Sequence, residues 1–263
     1  MTALWPVVES VLVKYSLVTA FLFIGSIVWG SYAISRRLTN GRIHGSAIAI
    51  MVGLALAYLG GISTGGTKGI ADIGCLAGVG LMGGAMLRDL AIVATAFGAR
   101  LEEFLDTGAS GIVSLLAGVF ISFSVGALVA YAFGYRDAVS MTTIGGGAAT
   151  YIVGPVTGTA LEASSEVIAL SVATGLVKSI LVMVLTPYVA NWIGLDDPRS
   201  ALIFGGLMGT TSGVAGGLAA TDERLVPYGA MTATFYTGLG CLLGPSVVFL
   251  IIQAIVGSAS LAP

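Results

Sequence analysis

The chain has 263 residues and a formal net charge of −2; 56% of its residues are hydrophobic and only 9% are charged. Soluble domains contain about 25% charged residues, so this composition excludes an ordinary soluble protein and indicates a protein that crosses a membrane several times. The few charges lie in short loops and form no basic face, which gives no indication of nucleic-acid binding.

Apolar stretches long enough for membrane-spanning helices, which need about 20 residues, recur along the chain. They cover residues 15–35, 43–62, 69–87, 107–135, 167–194, 200–220 and 225–257. The first stretch is followed by Arg36 and Arg37 and has no basic region before it, so we predict a retained span and not a cleaved signal. The last is longer than one straight span requires and is predicted to be tilted or broken near Gly244 and Pro245.

Residues 88–106 place apolar side chains at helical spacing and charged side chains on the other faces. This pattern predicts either a helix in the cytoplasmic interface of the membrane or an ordinary loop helix packed on the bundle. The preceding span carries two pairs of glycines at a spacing of four, Gly74 with Gly78 and Gly80 with Gly84. Such faces serve packing within the chain or contact with a second subunit, and we predict that residues 1–137 form a scaffold that docks a partner.

Two glycine-rich segments in the second half of the chain share the pattern Gly-Gly-x-Ala-Ala-Thr, at residues 145–150 and 216–221. A pair of threonines precedes each copy, Thr142 with Thr143 and Thr210 with Thr211. The similarity predicts one structural unit that is present twice.

The uncharged run between Ala138 and Leu161 is dense in glycine, carries Pro155 and is too irregular for a plain helix. We predict two re-entrant hairpins, at about residues 138–162 and 205–224, because lipid tolerates non-helical backbone only where protein or water covers it. Interrupted segments at corresponding places in two repeats indicate a binding site near the membrane midplane of a secondary transporter. The region 138–263 is therefore predicted to carry the substrate.

Three segments carry a resemblance to a known family. They are MTTIGGGAATYIVGPVTG at 141–158, LVKSILVMVLTPYVANWIG at 176–194 and GGLMGTTSGVAGGLAATDERLVPYGAMTATFYTGLG at 205–240. In this order they resemble the MadM-type subunit of the bacterial malonate transporter, and the similarity extends over nearly the whole chain. The resemblance implies a multi-pass protein of the bacterial inner membrane that imports malonate, or a similar dicarboxylate, with sodium, and that acts with a smaller MadL-type membrane subunit.

A dicarboxylate inside a membrane needs hydrogen-bond donors and positive potential without an exposed cluster of cations. The N-termini of half-helices provide both, because their free N–H groups and dipoles attract carboxylate. We therefore predict that each hairpin binds one carboxylate. The predicted substrate-binding residues are Thr142, Thr143, Gly145, Gly146, Gly147, Thr150, Thr210, Thr211, Ser212, Gly213, Gly216 and Gly217. The alternative is that these small residues only let helices pack closely.

Lys178 is a basic residue well inside a predicted span, and such a charge is by default a functional hypothesis. It is predicted to neutralise a substrate carboxylate, to pair with Glu162 or Glu166, or to extend to the membrane surface. Dianion entry against an interior-negative potential requires a coupled cation. Sodium is what the resemblance implies, with protons as the alternative, and carbonyls of the hairpins are predicted to bind it together with Thr174, Thr221 and Thr234.

The predicted fold is an all-α helical bundle in the membrane with two hairpin repeats. An elevator-type movement of 138–263 against 1–137 follows by analogy with other two-hairpin carriers. A channel or scaffold subunit without a transport site of its own is the alternative. An enzyme is not expected and no cofactor other than the coupling ion is predicted, since the chain has one histidine and no clustered metal ligands or paired carboxylates within its spans.

Overall fold

A computed structural model of the protein describes residues 5–41, 43–65, 68–82, 102 and 108–259, and the regular structure of these residues is entirely helical. Within them, five helices are long and apolar enough to cross a membrane. These are Ser16–Leu38, Gly45–Thr64, Ala109–Ala132, Ser165–Val189 and Glu223–Val256. The prediction of an all-helical, multi-pass membrane protein is thus confirmed.

The chain forms two compact units, Met1–Phe97 and Gly98–Pro263. In the first unit the helices are α1 (Trp5–Lys14), α2 (Ser16–Leu38), α3 (Gly45–Thr64) and the single turn α4 (Gly78–Leu81). Helices α2 and α3 pack against each other, and Gly45 at the start of α3 lies against the ring of Tyr32.

The stretch 69–87 was predicted to be one spanning helix, and this prediction is wrong for its described part. The chain there forms short turns at Gly69–Asp72, Gly74–Leu76 and Gly78–Leu81. Glycine favours such turns because it costs little to leave the helical conformation, and Gly69 adopts a φ of 60°. A long apolar run alone does not ensure a continuous helix.

Gly78 packs within the chain, because a Cβ at this position would overlap the backbone of Ser16 at the start of α2. Gly74 and Gly80 face Val13 and Ala71 at ordinary contact distance. Packing within the chain is therefore what the structure shows for this glycine face. Gly84 and the predicted helix at 88–106 lie outside the described residues, apart from residue 102.

The second unit contains the helices from α5 onward. They are α5 (Ala109–Ala132), α6 (Ala138–Ala149), α7 (Val153–Ala160), α8 (Ser165–Val189), α9 (Pro198–Met208), α10 (Thr211–Ala219), α11 (Val226–Leu243) and α12 (Phe249–Ala259). A π-helical turn, Gly244–Val248, joins α11 to α12. It contains Pro245, which has no N–H for an α-helical hydrogen bond, and it lies where the sequence predicted a break.

Both predicted hairpin segments contain an interrupted helix. The first break separates α6 from α7 at residues 150–152, and the second separates α9 from α10 at Gly209 and Thr210. The predicted span 200–220 is therefore wrong as one continuous helix, since Gly209 adopts a left-handed φ of 72°. The re-entrant position of these segments in the membrane stays a prediction.

The two interrupted segments have matching ends whose residue numbers differ by 60. Ahead of each segment, Tyr135 N–H donates to Ala130 O at 3.1 Å, and Leu195 N–H donates to Ala190 O at 2.9 Å. Each segment then begins with an aspartate cap. The carboxylates accept from Ser140 N–H and Ser200 N–H, each at 2.8 Å, and belong to Asp137 and Asp197 respectively.

This correspondence corrects the register of the repeat that we inferred from Gly-Gly-x-Ala-Ala-Thr. Residues 145–149 form the end of α6 and lead into the first break at Thr150, whereas residues 216–219 form the end of α10, after the second break. The two copies are therefore not equivalent positions. In the structural register Thr150 corresponds to Thr210, and each lies in a break. The shared letters reflect a common need for small residues where a half-helix packs closely.

Candidate functional site

The two breaks meet at neighbouring residues of α8. Lys178 Nζ donates to Ala149 O, the last residue of α6, at 3.0 Å. The next residue, Ser179, makes a short hydroxyl–hydroxyl hydrogen bond to Thr210, which precedes α10. Since α8 has 25 residues, Ser165–Val189, both breaks lie beside its middle.

Lys178 is held by groups from three other helices. Besides Ala149 O, its ammonium donates to Ser122 Oγ on α5 at 3.0 Å and lies 5.4 Å from the ring centroid of Tyr236 on α11. The C-terminus of α6 carries the negative end of the helix dipole, which favours an ammonium group there. Lys178 thus bonds to these oxygens rather than to Glu162 or Glu166.

Tyr236 connects the lysine to the second break. Its side chain is fully buried, and its hydroxyl donates to Gly118 O at 3.1 Å. A Cβ at Gly209 would overlap the tyrosine ring, so the ring packs directly on the left-handed turn. Tyr236 and Ser122 were not among the site residues predicted from the sequence. A tyrosine or a serine in an apolar span carries no signal that separates a site residue from a packed one.

The first break satisfies its own backbone. The hydroxyl of Thr150 accepts from Ile152 N–H at 3.0 Å and from Val153 N–H at 3.4 Å. These are N–H groups at the start of α7 that would otherwise have no helical partner. The carbonyl oxygen of Ala149 is therefore the group at the first break that is available to other side chains, and it carries a partial negative charge.

The second break has the opposite character. Thr210 bonds to Ser179 and makes no side-chain cap on α10, so the first-turn N–H groups of Thr211, Ser212 and Gly213 have no side-chain acceptor from the cap residue. Ser212 Oγ is buried and has no hydrogen-bond partner. Free donors at a helix N-terminus attract anions, so this break is electropositive.

Two further predicted threonines, Thr142 and Thr143, bond to their own helix. Thr142 and Thr143 are fully buried, and their hydroxyls donate to Ala138 O at 2.6 Å and Val139 O at 2.8 Å. Their role as substrate ligands stays a prediction, since binding requires these hydroxyls to leave backbone carbonyls.

The predicted glycines lie at close helix contacts. A Cβ on Gly145 would be 2.8 Å from Phe123 O on α5, and one on Gly147 would overlap the backbone of Ser171 on α8. Gly146 packs against α7, at Val153, Gly154 and Thr157. In the second segment the equivalent contacts are with α8: Gly213 with Ser179, Gly216 with Met183 and Gly217 with Thr186. Close packing is thus one function of these glycines, and a ligand role stays a prediction.

The three threonines predicted to bind sodium each donate to a backbone carbonyl four residues earlier. Thr174 donates to Leu170 O at 2.9 Å, Thr221 to Gly217 O at 2.7 Å and Thr234 to Ala230 O at 2.8 Å. Their hydroxyl lone pairs are acceptors that a cation also uses. In the described part of the chain, His, Cys, Asp and Glu form no group of three that suits a metal. The sodium site stays a prediction, and it would use hydroxyl and carbonyl oxygens of this kind.

Interrupted helices that meet near the middle of the membrane are the arrangement with which many secondary transporters bind substrate and coupling ions. Here the interrupted helices meet beside the middle of α8, next to the ammonium of Lys178. The fold and the site therefore define a multi-pass membrane protein of the transporter class. The family model described as "Malonate/sodium symporter MadM subunit" matches residues 8–256, and the chain belongs to this family. No curated protein and no solved structure matches the chain.

Proposed function

We propose that this chain forms the substrate pathway of a carrier that imports malonate, or a closely similar small dicarboxylate, together with sodium. The family supports the substrate and the ion. The observation that supports a site in this chain is the meeting of the two breaks at Lys178 and Ser179. A subunit with no substrate pathway has no need for a charged residue at that place, where insertion costs about 2.5–3.5 kcal/mol.

One carboxylate binds at the N-terminus of α10 in this proposal. The first-turn N–H groups lack a side-chain cap there, and the buried hydroxyl of Ser212 is available as a donor. From the sequence, each hairpin was predicted to bind one carboxylate. Because Thr150 already occupies the first N–H groups of α7, we propose that the second carboxylate binds Lys178 instead.

The charges explain why a cation accompanies the substrate. A dianion that enters against an interior-negative potential is opposed by about 2.3 kcal/mol per charge for each 100 mV. Lys178 offsets one charge inside the site but returns with the empty carrier, so it contributes nothing to net charge movement over a cycle. At least two sodium ions per malonate are needed to cancel the two negative charges. With a third sodium ion, net positive charge enters and the membrane potential favours uptake.

The carrier acts with a smaller MadL-type subunit in the bacterial inner membrane in this proposal, and residues 138–263 move against a scaffold in residues 1–137. The structure motivates one refinement. Helix α5 packs on α6, where Gly126 lies against Gly145 and Ala148, and it belongs to the same compact unit as both hairpins. We therefore assign α5 to the moving region.

Uptake of labelled malonate into proteoliposomes tests the proposal. The chain is reconstituted with and without the MadL-type subunit, and a sodium gradient, a proton gradient or no gradient is imposed. Saturable uptake that only the sodium gradient drives supports the proposal. Uptake that only a proton gradient drives would show that protons, not sodium ions, are the coupling ions. Linear, gradient-independent flux, or none with both subunits present, favours the alternative of a channel or scaffold subunit.

A further inference from the structure

We propose that Ser122, the carbonyl of Ala149 and the ring of Tyr236 form a resting site for the ammonium of Lys178 in the substrate-free carrier, and that the return of the empty carrier depends on it. Ser122 is then a positioning residue for transport. The inference rests on the proposed function, since it assumes that malonate displaces the ammonium from this site.

The first break creates the acceptor in the resting site. In an unbroken helix, Val153 N–H would donate to Ala149 O, but here it donates to the hydroxyl of Thr150. Ala149 O is thereby free to accept from Lys178 at 3.0 Å. The break therefore converts a backbone carbonyl in the bundle interior into a ligand for a cation.

Ser122 completes the coordination from another helix. An ammonium group has three donors, and Lys178 directs two of them at Ala149 O and Ser122 Oγ, both at 3.0 Å. Tyr236 presents its ring at 5.4 Å, within the range of a cation–π contact. A partly buried ammonium without such partners is costly, so these three groups stabilise a charge for which the described residues provide no carboxylate partner.

The resting site matters most when the empty carrier is closed to both sides. In an open state, water can replace Ser122 as a partner for the ammonium. In a closed intermediate it cannot, and a carboxylate is present only when the carrier is loaded. Loss of the Ser122 hydroxyl should therefore slow the return of the empty carrier and leave the movement of the loaded carrier nearly unchanged.

Two transport modes separate these steps. Net uptake requires the empty carrier to return, whereas exchange of external labelled malonate for internal malonate uses only loaded forms. Ser122→Ala removes the hydroxyl, Ser122→Thr keeps it, and Ser124→Ala is a matched control because Ser124 is an exposed serine of the same helix. All variants are compared with the unmodified protein in the same proteoliposomes, with sodium on both sides for exchange.

We expect Ser122→Ala to slow net uptake about tenfold or more, as for a lost hydrogen bond to a charged group, and to change exchange less than about twofold. Ser122→Thr should restore net uptake, and Ser124→Ala should behave as the unmodified protein. Equal loss of both modes in Ser122→Ala contradicts the inference, and so does an unchanged rate of net uptake. Failure of the proposed function is distinguishable, because the unmodified protein would then show neither mode.

Discussion

Lys178 and Ser179 are consecutive residues of α8, and each contacts a different helix break: Lys178 bonds to Ala149 O at the end of α6, and Ser179 bonds to Thr210 at the start of α10. The breaks differ in sign, because one presents a carbonyl to a cation and the other presents uncapped N–H groups. In the proposed site, the Lys178 ammonium at the first break would bind one carboxylate of the substrate, and the helix donors at the second break would bind the other.

Lys178→Met keeps most of the side-chain volume and removes the charge. We expect the KM for malonate to rise about tenfold or more, because a hydrogen bond between a carboxylate and an ammonium is lost. The matched control is Lys68→Met, since Lys68 is exposed in the first unit. KM values come from initial rates of labelled-malonate uptake with equal amounts of inserted protein. A KM within about twofold of the unmodified value removes Lys178 from the substrate site.

Ser212→Ala and Thr143→Val compare a hydroxyl that has no hydrogen-bond partner with one that already donates to a backbone carbonyl. Ser212 Oγ has no partner and is available to substrate, whereas Thr143 donates to Val139 O. We expect Ser212→Ala to weaken malonate affinity by about 1–3 kcal/mol and Thr143→Val to leave it within about twofold. The same uptake assay measures both. An affinity loss in Thr143→Val with none in Ser212→Ala would support the role that the sequence predicted for Thr143 and refute the site at α10.

Gly209→Ala tests the contact between the second break and Tyr236. Gly209 and Gly194 have similar left-handed φ values of 72° and 65°, so alanine costs about 1–2 kcal/mol of backbone strain at each. Only at Gly209 would the added Cβ overlap the tyrosine ring, whereas Gly194 has nothing within 4 Å. We expect Gly209→Ala to lower the Tm in detergent clearly more than Gly194→Ala, with overpacking adding about 1–3 kcal/mol.

Equal losses of Tm in the two glycine variants would show that the Tyr236 ring can move aside without loss of stability and does not fix the geometry of the break.

Gly78→Ala distinguishes packing within the chain from contact with a second subunit. The added Cβ would overlap the backbone of Ser16, so we expect a lower yield of folded chain even when the chain is expressed alone. Gly53→Ala in α3 is the control, because nothing lies within 4 Å of that Cβ position. The yields are compared by size-exclusion chromatography in detergent. A normal yield together with loss of co-purification with the MadL-type subunit would assign this face to the partner.

The sequence predicted the membrane fold well, because composition and the length of apolar runs determine which segments can cross lipid. The predicted span at 69–87 was wrong, because hydropathy does not take account of the conformational freedom of glycine. The sequence also indicated that 138–162 and 205–224 are irregular, and each contains a helix break, although 200–220 was also predicted as one span. The sequence did not give the register of the repeat, because the residues around the two aspartate caps, Asp137 and Asp197, resemble each other little.

The candidate site was predictable only in part. Lys178 is conspicuous because a charge inside an apolar run is rare. Its partners come from helices distant in sequence: Ser122 lies 56 positions earlier and Ala149 O lies 29 positions earlier. A carbonyl oxygen has no sequence signature, and Tyr236 is one aromatic residue among several in its span. Only the packing of α5, α6 and α11 around α8 brings these groups together.

Substrate protection of a cysteine at the second break tests the central claim most directly. In a variant in which Cys75 and Cys241 are replaced by alanine, Thr211→Cys places one thiol at the N-terminus of α10, and Ser246→Cys places one at an exposed position of the π-helical turn. We expect malonate with sodium to slow thiol modification at residue 211 several-fold and to leave residue 246 unchanged. Modification at residue 211 that proceeds equally with and without malonate, in a variant that still transports it, would contradict a carboxylate site at this break.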